Sequence, residues 1–454
     1  MSNTSPLLDP AVVRRLAGTR SARDTWPRHA LLDIQRERLS GLLAYAVAES
    51  RYYRDTFSTV RHGASVSDLP VLTKATLMEQ WDRIVTDPRL TLRAVEAHLA
   101  GPHCGELVLG EYRAFATGGT TGERSIVVYD RTAWLDGMGN VLRWLRTMGA
   151  KPDSRLVGIG APTPLHVTNR AFAELQAGRA GAPRLSVVTP VSELVDRLNA
   201  YQPEVIFTYA SFNRRLVEEQ QAGRLRIHPG RIVSTAEVLE PEVRSQVHDT
   251  WNARVLNSYG TTEAGLLGAE CDSSMGIHIA EDMIVFEVVD EQSRPMPDGV
   301  PGAKVLVTNL FNRVLPLIRY ELSDIATLDR DTCACGRPYA RVIAVDGRRE
   351  DYMTLRARAG DHIRIHAGRL RTPLAGVPGL RQYQLVPMTE RLSLRLSVRD
   401  DAAVETTKAL ATEVVRAALR SAGADVMVTT EVVDRIERAG TGAKEKLVVA
   451  APTA

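Results

Sequence analysis

The first hundred residues carry apolar positions at helical spacing. Leu32, Gln35, Leu39, Leu42, Leu43 and Tyr45 recur along one stretch that ends near Tyr52 and Tyr53. The run Leu69-Pro-Val-Leu-Thr-Lys74 reads as a turn into a further helix, with Thr73 placed to cap it. From about residue 105 short apolar runs alternate with helical stretches. Leu156–Ile159, Leu185–Val188, Val205–Phe207, Arg231–Val233 and Arg254–Leu256 read as buried strands, with helical spacing over Ser192–Ala200 and Phe212–Gln221. Strand and helix in alternation predict parallel α/β layers.

After residue 276 the pattern becomes strand-rich. Met283–Val289 alternates, Pro297–Gly302 is a turn cluster and Lys304–Thr308 returns as a strand. Gly347-Arg-Arg-Glu-Asp351 is a charged, hinge-like stretch. Beyond it Leu392–Val398 reads as a strand, Val404–Leu419 as a helix and Val426–Val433 as another strand, a small α+β domain of usual size. The fold class expected is α/β: a large multi-layer N-terminal domain with parallel-rich sheets over residues 1–346, a hinge over 347–351, and a small α+β domain over 352–454.

Composition changes this picture little. Over 454 residues, 44% hydrophobic and 24% charged positions are ordinary for a folded chain with a sizeable core. A net charge of +3 without a long basic run gives no reason to expect nucleic acid. The N-terminus lacks the apolar core of a signal peptide and no apolar stretch is long enough to cross a bilayer, so neither membrane nor export is expected. Four cysteines do not make a disulfide framework; a reducing cytoplasm fits, and clustered cysteines become candidates for metal.

Three segments could carry chemistry. Thr117-Gly-Gly-Thr-Thr-Gly122 packs three glycines and three hydroxyls into six residues, so its backbone N–H and side-chain O–H groups can wrap phosphate oxygens. It is not a Walker A loop, because no Gly-Lys-Ser/Thr follows. Ser258-Tyr-Gly-Thr-Thr-Glu263 follows a predicted strand and ends in a carboxylate suited to Mg²⁺. Arg319-Tyr-Glu-Leu-Ser-Asp324 follows the strand-like Leu315–Ile318 and places an aspartate that can accept two hydrogen bonds from ribose hydroxyls. Taken singly, a surface turn, a solvated loop acid and a turn aspartate explain them equally well or better.

In this order and spacing they resemble the adenylate-forming superfamily of acyl-CoA synthetases, most closely its phenylacetate–CoA ligase branch. Gln35–Tyr53, the run at 69–74, Ala236-Glu237, Tyr259-Gly-Thr-Thr-Glu263 and Cys333-Ala-Cys-Gly-Arg337 share in the resemblance. It implies ATP-dependent activation of a carboxylic acid, an aryl one as that branch favours, to an acyl-adenylate, followed by transfer to coenzyme A. Transfer to an amine or hydroxyl acceptor stays open, and a non-catalytic relative is a third reading. The cofactor-binding set it implies is Thr117, Gly118, Gly119, Thr120, Thr121 and Gly122 for the β- and γ-phosphates, together with Ala236, Glu237, Tyr259 and Gly260, of which Tyr259 would stack near adenine. Asp324 and Arg348 would lie at the ribose. Thr262 would touch the α-phosphate, Glu263 would hold Mg²⁺, Glu350 would be the pivot of the hinge, and the small domain would be a mobile lid. Lys444, in Gly440-Thr-Gly-Ala-Lys444, resembles the lysine that bridges carboxylate and α-phosphate, with Lys446 the competitor.

The acid pocket expected from the same resemblance involves Tyr129, His166, Tyr209, Phe212 and Ser234. Cys271, His278, Cys333 and Cys335 offer three thiolates and an imidazole, a closed tetrahedral set suited to structural Zn²⁺. Cys104 reads as a small apolar residue. Two departures matter. Glu123 and Arg124 stand where the family's loop continues with lysine and proline, and Leu355–Ile365 lacks the glycine-containing stretch common after the hinge in coenzyme-A-using relatives. The partners expected are a small-molecule acid and an acyl acceptor, with a homodimer left open.

Overall fold

The computed structural model describes residues 9–58, 65–117, 125–177, 181–273, 276–348, 351–370, 373–374, 377–399, 402–436, 438–439, 444–445 and 447–449. The chain divides into two compact units, the first running to Val345 and the second from Asp346 onward.

The first unit is built on a nine-stranded sheet. In spatial order its strands are Asp324–Asp329, Arg341–Arg348, Ile277–Ile279, Gly265–Glu270, Arg254–Thr261, Arg231–Thr235, Val205–Tyr209, Leu156–Gly160 and Leu185–Ser186. The last five are mutually parallel, and the sheet turns antiparallel at the Arg254–Thr261/Gly265–Glu270 pair. The period of two in a strand explains the layering. Val205, Phe207, Val233 and Leu256 enter the larger core, while Ile206, Ile232 and Val255 enter a second one. That second core is covered by helices Val191–Tyr201, Ala210–Gln221 and Pro241–Trp251 through Leu194, Leu198, Leu216 and Val247.

A three-stranded sheet, Ile284–Val289, Lys304–Asn309 and Tyr320–Leu322, packs into the larger core, as does the hairpin Arg113–Ala116/Ile126–Tyr129. The expected strand at Leu315–Ile318 is not one. That run is a buried loop, with Leu317 accepting a hydrogen bond from the Asn309 N–H, and pairing resumes only at Tyr320. Strand Leu185–Ser186 is also shorter than its apolar run, since Val188 is exposed.

The N-terminal helices, Pro10–Ser21 and Arg28–Glu49, are held to this unit by buried charge as well as apolar packing. Arg23 and Arg143 both pair with Asp282, at 2.7 and 2.9 Å, and Arg143 and Asp282 are fully buried. Thr73 caps helix Lys74–Glu79 as expected, its hydroxyl accepting from the Thr76 N–H at 3.1 Å.

The second unit has its own core. Strands Leu380–Met388, Arg391–Val398 and Met427–Val432 form a sheet whose last two strands are parallel and joined through helix Val404–Ser421. Leu392, Leu394 and Leu396 meet Ala411, Val415 and Leu419 of that helix. A hairpin, Tyr352–Arg356/His362–His366, contributes Met353, Leu355 and Ile365. Among the described residues no helix is long and apolar enough to cross a membrane.

Candidate active site and metal-ligating cluster

The parallel strands of an open α/β sheet direct their carboxyl ends to one edge, where ligands bind in such folds. Here Tyr209, Thr235 and Ser258–Thr261 lie at those ends. The turn after Arg254–Thr261 is tight. A Cβ on Gly260 would approach the Gly265 carbonyl at 3.1 Å, and Gly265 itself has φ +69°. Thr261 stabilises the turn by accepting from the Ala264 N–H at 3.0 Å.

Glu263 emerges from this turn into a buried setting, its carboxylate accepting from the Tyr320 hydroxyl at 3.3 Å. Tyr320 also meets the Ser125 hydroxyl at 3.2 Å. Ser125 in turn is tied to Thr117: its N–H donates to Thr117 Oγ1 at 2.8 Å, and its carbonyl accepts from the Thr117 N–H at 2.9 Å. Tyr129 donates to the Thr262 carbonyl at 2.7 Å. Burial, and then the Glu263 charge, push the Tyr320 and Tyr129 phenols far above their ordinary range, so both remain protonated donors. These contacts join Thr117 and Ser125, the Glu263 turn and the 319–324 segment.

Tyr259 donates to Asp324 Oδ2 at 2.5 Å, bringing the expected adenine and ribose residues together. Ala236 adopts φ +66°, a left-handed conformation that costs a non-glycine residue roughly 1 kcal/mol or more. Next to it Glu237 accepts from the Ser211 N–H at 2.8 Å, and its other carboxylate oxygen is buried without a partner among the described residues. The Ser234 carbonyl accepts from the Ser258 hydroxyl at 3.0 Å, while Ser234 Oγ is buried and unpaired among the described residues.

The remaining pocket candidates are more enclosed. Tyr209 is buried, with its hydroxyl 3.0 Å from Thr168 Oγ1, and Phe212 packs in the second core. His166 is buried just before helix Val167–Gln176. Gly118 to Gly122, Glu350 and Lys446 lie outside the described residues. Lys444 is described only as backbone, in the short strand Lys444–Glu445 paired with Arg438–Ala439. Arg348 ends strand Arg341–Arg348, its N–H donating to Asp351 Oδ2 at 3.2 Å. Tyr320 and Ser125 received no role from the sequence. Tyr320 sits inside the quoted 319–324 segment, but its reach to Glu263, 57 residues away, has no local signal.

The ligand atoms of Cys271, His278, Cys333 and Cys335 lie within 4.8 Å of one another. Cys271 and Cys333 sulfurs are 3.8 Å apart, which matches the edge of about 3.8 Å for a tetrahedron with Zn–S bonds of ~2.3 Å. Cys335 Sγ is 3.3 Å from His278 Nε2. Burial, then the Arg337, Arg341 and Arg143 charges, push the His278 imidazole down to about 4, so it is in the neutral, ligating form. Burial pushes the Cys271 thiol up to about 11, the cost a divalent cation would reverse. At Cys335 burial also opposes ionisation, but hydrogen bonds from Arg337 outweigh it and lower the thiol. The donor set therefore fits Zn²⁺. Arg337 also reaches Asp24 at 3.2 Å, linking the cluster to the N-terminal helices.

The AMP-binding enzyme family matches residues 115–308. A phenylacetate–coenzyme A ligase of Thermus thermophilus is 26% identical over 394 residues, 81% of this chain and 80% of that one. A phenylacetate–coenzyme A ligase of Escherichia coli is 28% identical over 259 residues, 54% of this chain and 56% of that one. The crystal structure of a 2-hydroxyisobutyryl-CoA ligase in its postadenylation state superposes with a TM-score of 0.74 at 22% identity, over 95% of this chain and 91% of that one. The chain is thus similar to AMP-binding enzymes over residues 115–308 and to phenylacetate–CoA ligases over most of its length, with the fold of an acyl-CoA ligase.

Proposed function

We propose that the protein condenses a carboxylic acid with ATP to an acyl-adenylate and then transfers the acyl group to coenzyme A. In the first step a carboxylate oxygen attacks the α-phosphorus and the α–β phosphoanhydride bond breaks, releasing pyrophosphate. In the second the thiol sulfur attacks the acyl carbonyl, AMP leaves, and the thiol proton passes to solvent. The observation that carries this reading is the hydrogen-bonded line Thr117–Ser125–Tyr320–Glu263, with Tyr259 on Asp324 beside it. It gathers into one place the three segments that the chemistry needs.

The first step brings two anions together, so charge compensation dominates its barrier. Glu263 would hold Mg²⁺, which when bound neutralises phosphate charge. Tyr320 fixes the Glu263 carboxylate in one rotamer, and Tyr129 fixes the Thr262 carbonyl, so Thr262 is presented to the α-phosphate by a rigid turn. Asp324 accepts from the ribose hydroxyls and Lys444 supplies the bridging ammonium. Cys271, His278, Cys333 and Cys335 would hold Zn²⁺ as a structural cross-link with no open ligand position. The acid we propose is an aryl or arylacetic one, supported by the named relatives and by the aromatic cluster of Phe115, Tyr129 and Trp134.

The test is pyrophosphate release with ATP, Mg²⁺ and a panel of benzoic, aminobenzoic, hydroxybenzoic and phenylacetic acids, with and without coenzyme A. Release that rises with coenzyme A and yields a thioester supports the ligase. Release indifferent to coenzyme A would move the second step to an amine or hydroxyl acceptor, and no release with any acid would sink the proposal.

A further inference from the structure

One face of the nine-stranded sheet ends in polar side chains that bond to nothing in the chain. Along strand Arg231–Thr235, Ile232 enters the second core, so Ser234, two residues on, lies on the same face. Along Arg254–Thr261, Val255 enters that core and Asn257 follows on its face, in register beside Ser234. Helix Ala210–Gln221 covers the face with Leu216 and Val217. Asn213, three and four residues before them, shares their side of the helix, nearer the carboxyl ends of the strands. Tyr209 and Phe212, both expected in the acid pocket, belong to the same layer.

Asn213 and Ser234 are fully buried. Asn213 Oδ1 and Nδ2, Ser234 Oγ and Asn257 Oδ1 are buried with no hydrogen-bond partner among the described residues. The face does not impose this. Thr208, in register on the other side of Ser234, donates to the Ile159 carbonyl at 2.9 Å. Buried polar atoms in folded proteins are nearly always bonded, because an unmade bond forfeits the hydration of the group. Here the partnerless atoms come from one helix and two strands and gather at the carboxyl edge of one layer, the edge where ligands bind in such sheets. The Ser211 N–H, donating to Glu237 Oε2 at 2.8 Å, ties the start of the helix to the loop after Thr235 at that edge.

We propose that Asn213, Ser234 and Asn257 read a substituent on the ring of the acid, and that the substrate class is an aryl acid bearing a ring amino or hydroxyl group. The inference rests on the adenylate-forming reading and narrows its acid. The amide oxygens of Asn213 and Asn257 only accept, Ser234 Oγ accepts as well as donates, and Asn213 Nδ2 only donates. Acceptors therefore predominate, and the N–H of an aromatic amine or the O–H of a phenol meets them. A ring without such a donor leaves the same atoms unpaired in the complex, and that penalty rejects it.

The test compares kcat/KM for pyrophosphate release, with ATP and Mg²⁺, among the ring isomers of aminobenzoic and hydroxybenzoic acid, benzoic acid and phenylacetic acid. Wild type should favour at least one substituted acid over benzoic acid by about 10²-fold or more. Asn213→Leu removes the amide at similar volume and should shrink that ratio by about tenfold or more. Ser234→Ala should shrink it in the same direction, and it serves where Asn213→Leu does not fold. A residue that only supports the fold would lower the rates with all acids alike and leave the ratio where it was. An unmoved ratio in a folded variant overturns the inference and leaves the ligase reading intact. So does a wild type that takes benzoic or phenylacetic acid as well as the substituted acids. Absence of release with every acid takes both down.

Discussion

Two residues decide whether the line Thr117–Ser125–Tyr320–Glu263 is a working site or a buried network. Glu263→Gln keeps the shape and an acceptor for Tyr320 but removes the charge. Pyrophosphate release should fall by about 10²–10³-fold, in the range of losing one electrostatic stabiliser, with a melting temperature close to wild type. A variant as active as wild type would remove Glu263 from the chemistry. Tyr320→Phe leaves the carboxylate in place but without that donor, and should cost about fivefold in the same assay, about one net hydrogen bond. The three segments were legible because glycine, hydroxyl and carboxylate cluster there in sequence. Their joining was not, since the Tyr320 contacts to Glu263 and Ser125 span 57 and 195 residues.

Among the elements, the parallel strands were legible from apolar runs, because burial on both faces demands them. Leu315–Ile318 misled for the same reason: a loop buried in the larger core is as apolar as a strand. The helices Pro10–Ser21 and Arg28–Glu49 depend on partners that sequence spacing cannot show. Arg23, Arg143 and Asp282 form one buried set across separations of 139 and 259 residues. Burial opposes ionisation of Asp282, but Arg143 and Arg23 outweigh it and lower its pKa. A carboxylate lowered in the folded state stabilises above its unfolded value of about 3.9, and that stability is lost as pH falls through the folded value. Melting temperature should therefore drop on acidification below about pH 4. Asp282→Asn should lose that part of the acid dependence and cost about 3–5 kcal/mol at neutral pH, because buried Arg23 loses its counter-ion and buried Arg143 keeps only Asp24, at 3.2 Å. An unchanged acid limb in this variant would assign the dependence elsewhere. The cysteine–histidine cluster acts at the same level, joining strands Gly265–Glu270 and Ile277–Ile279 to the 333–337 loop. Chelation should lower the melting temperature more than it lowers pyrophosphate release from enzyme still folded. Protein that purifies without metal and melts normally would refute the zinc assignment.

For the molecule as a whole, the chain divides into two compact units with separate cores. Glu263, Thr262, Tyr259 and Asp324 belong to the first in sequence, and Arg348 and the expected lysines Lys444 and Lys446 to the second. The role proposed for the lysine makes a prediction specific to one half-reaction. In adenylation two anions must meet, so an ammonium between them lowers the barrier strongly. In the transfer step the nucleophile is a sulfur and the leaving group a phosphate monoester already formed, so the same ammonium is not required. Lys444→Ala should then abolish pyrophosphate release while thioester formation from a supplied acyl-adenylate continues near the wild-type rate. Lys446→Ala should leave both in place. The reverse pattern would transfer the role to Lys446. Loss of both half-reactions in Lys444→Ala would instead remove the step-specific role proposed for that lysine.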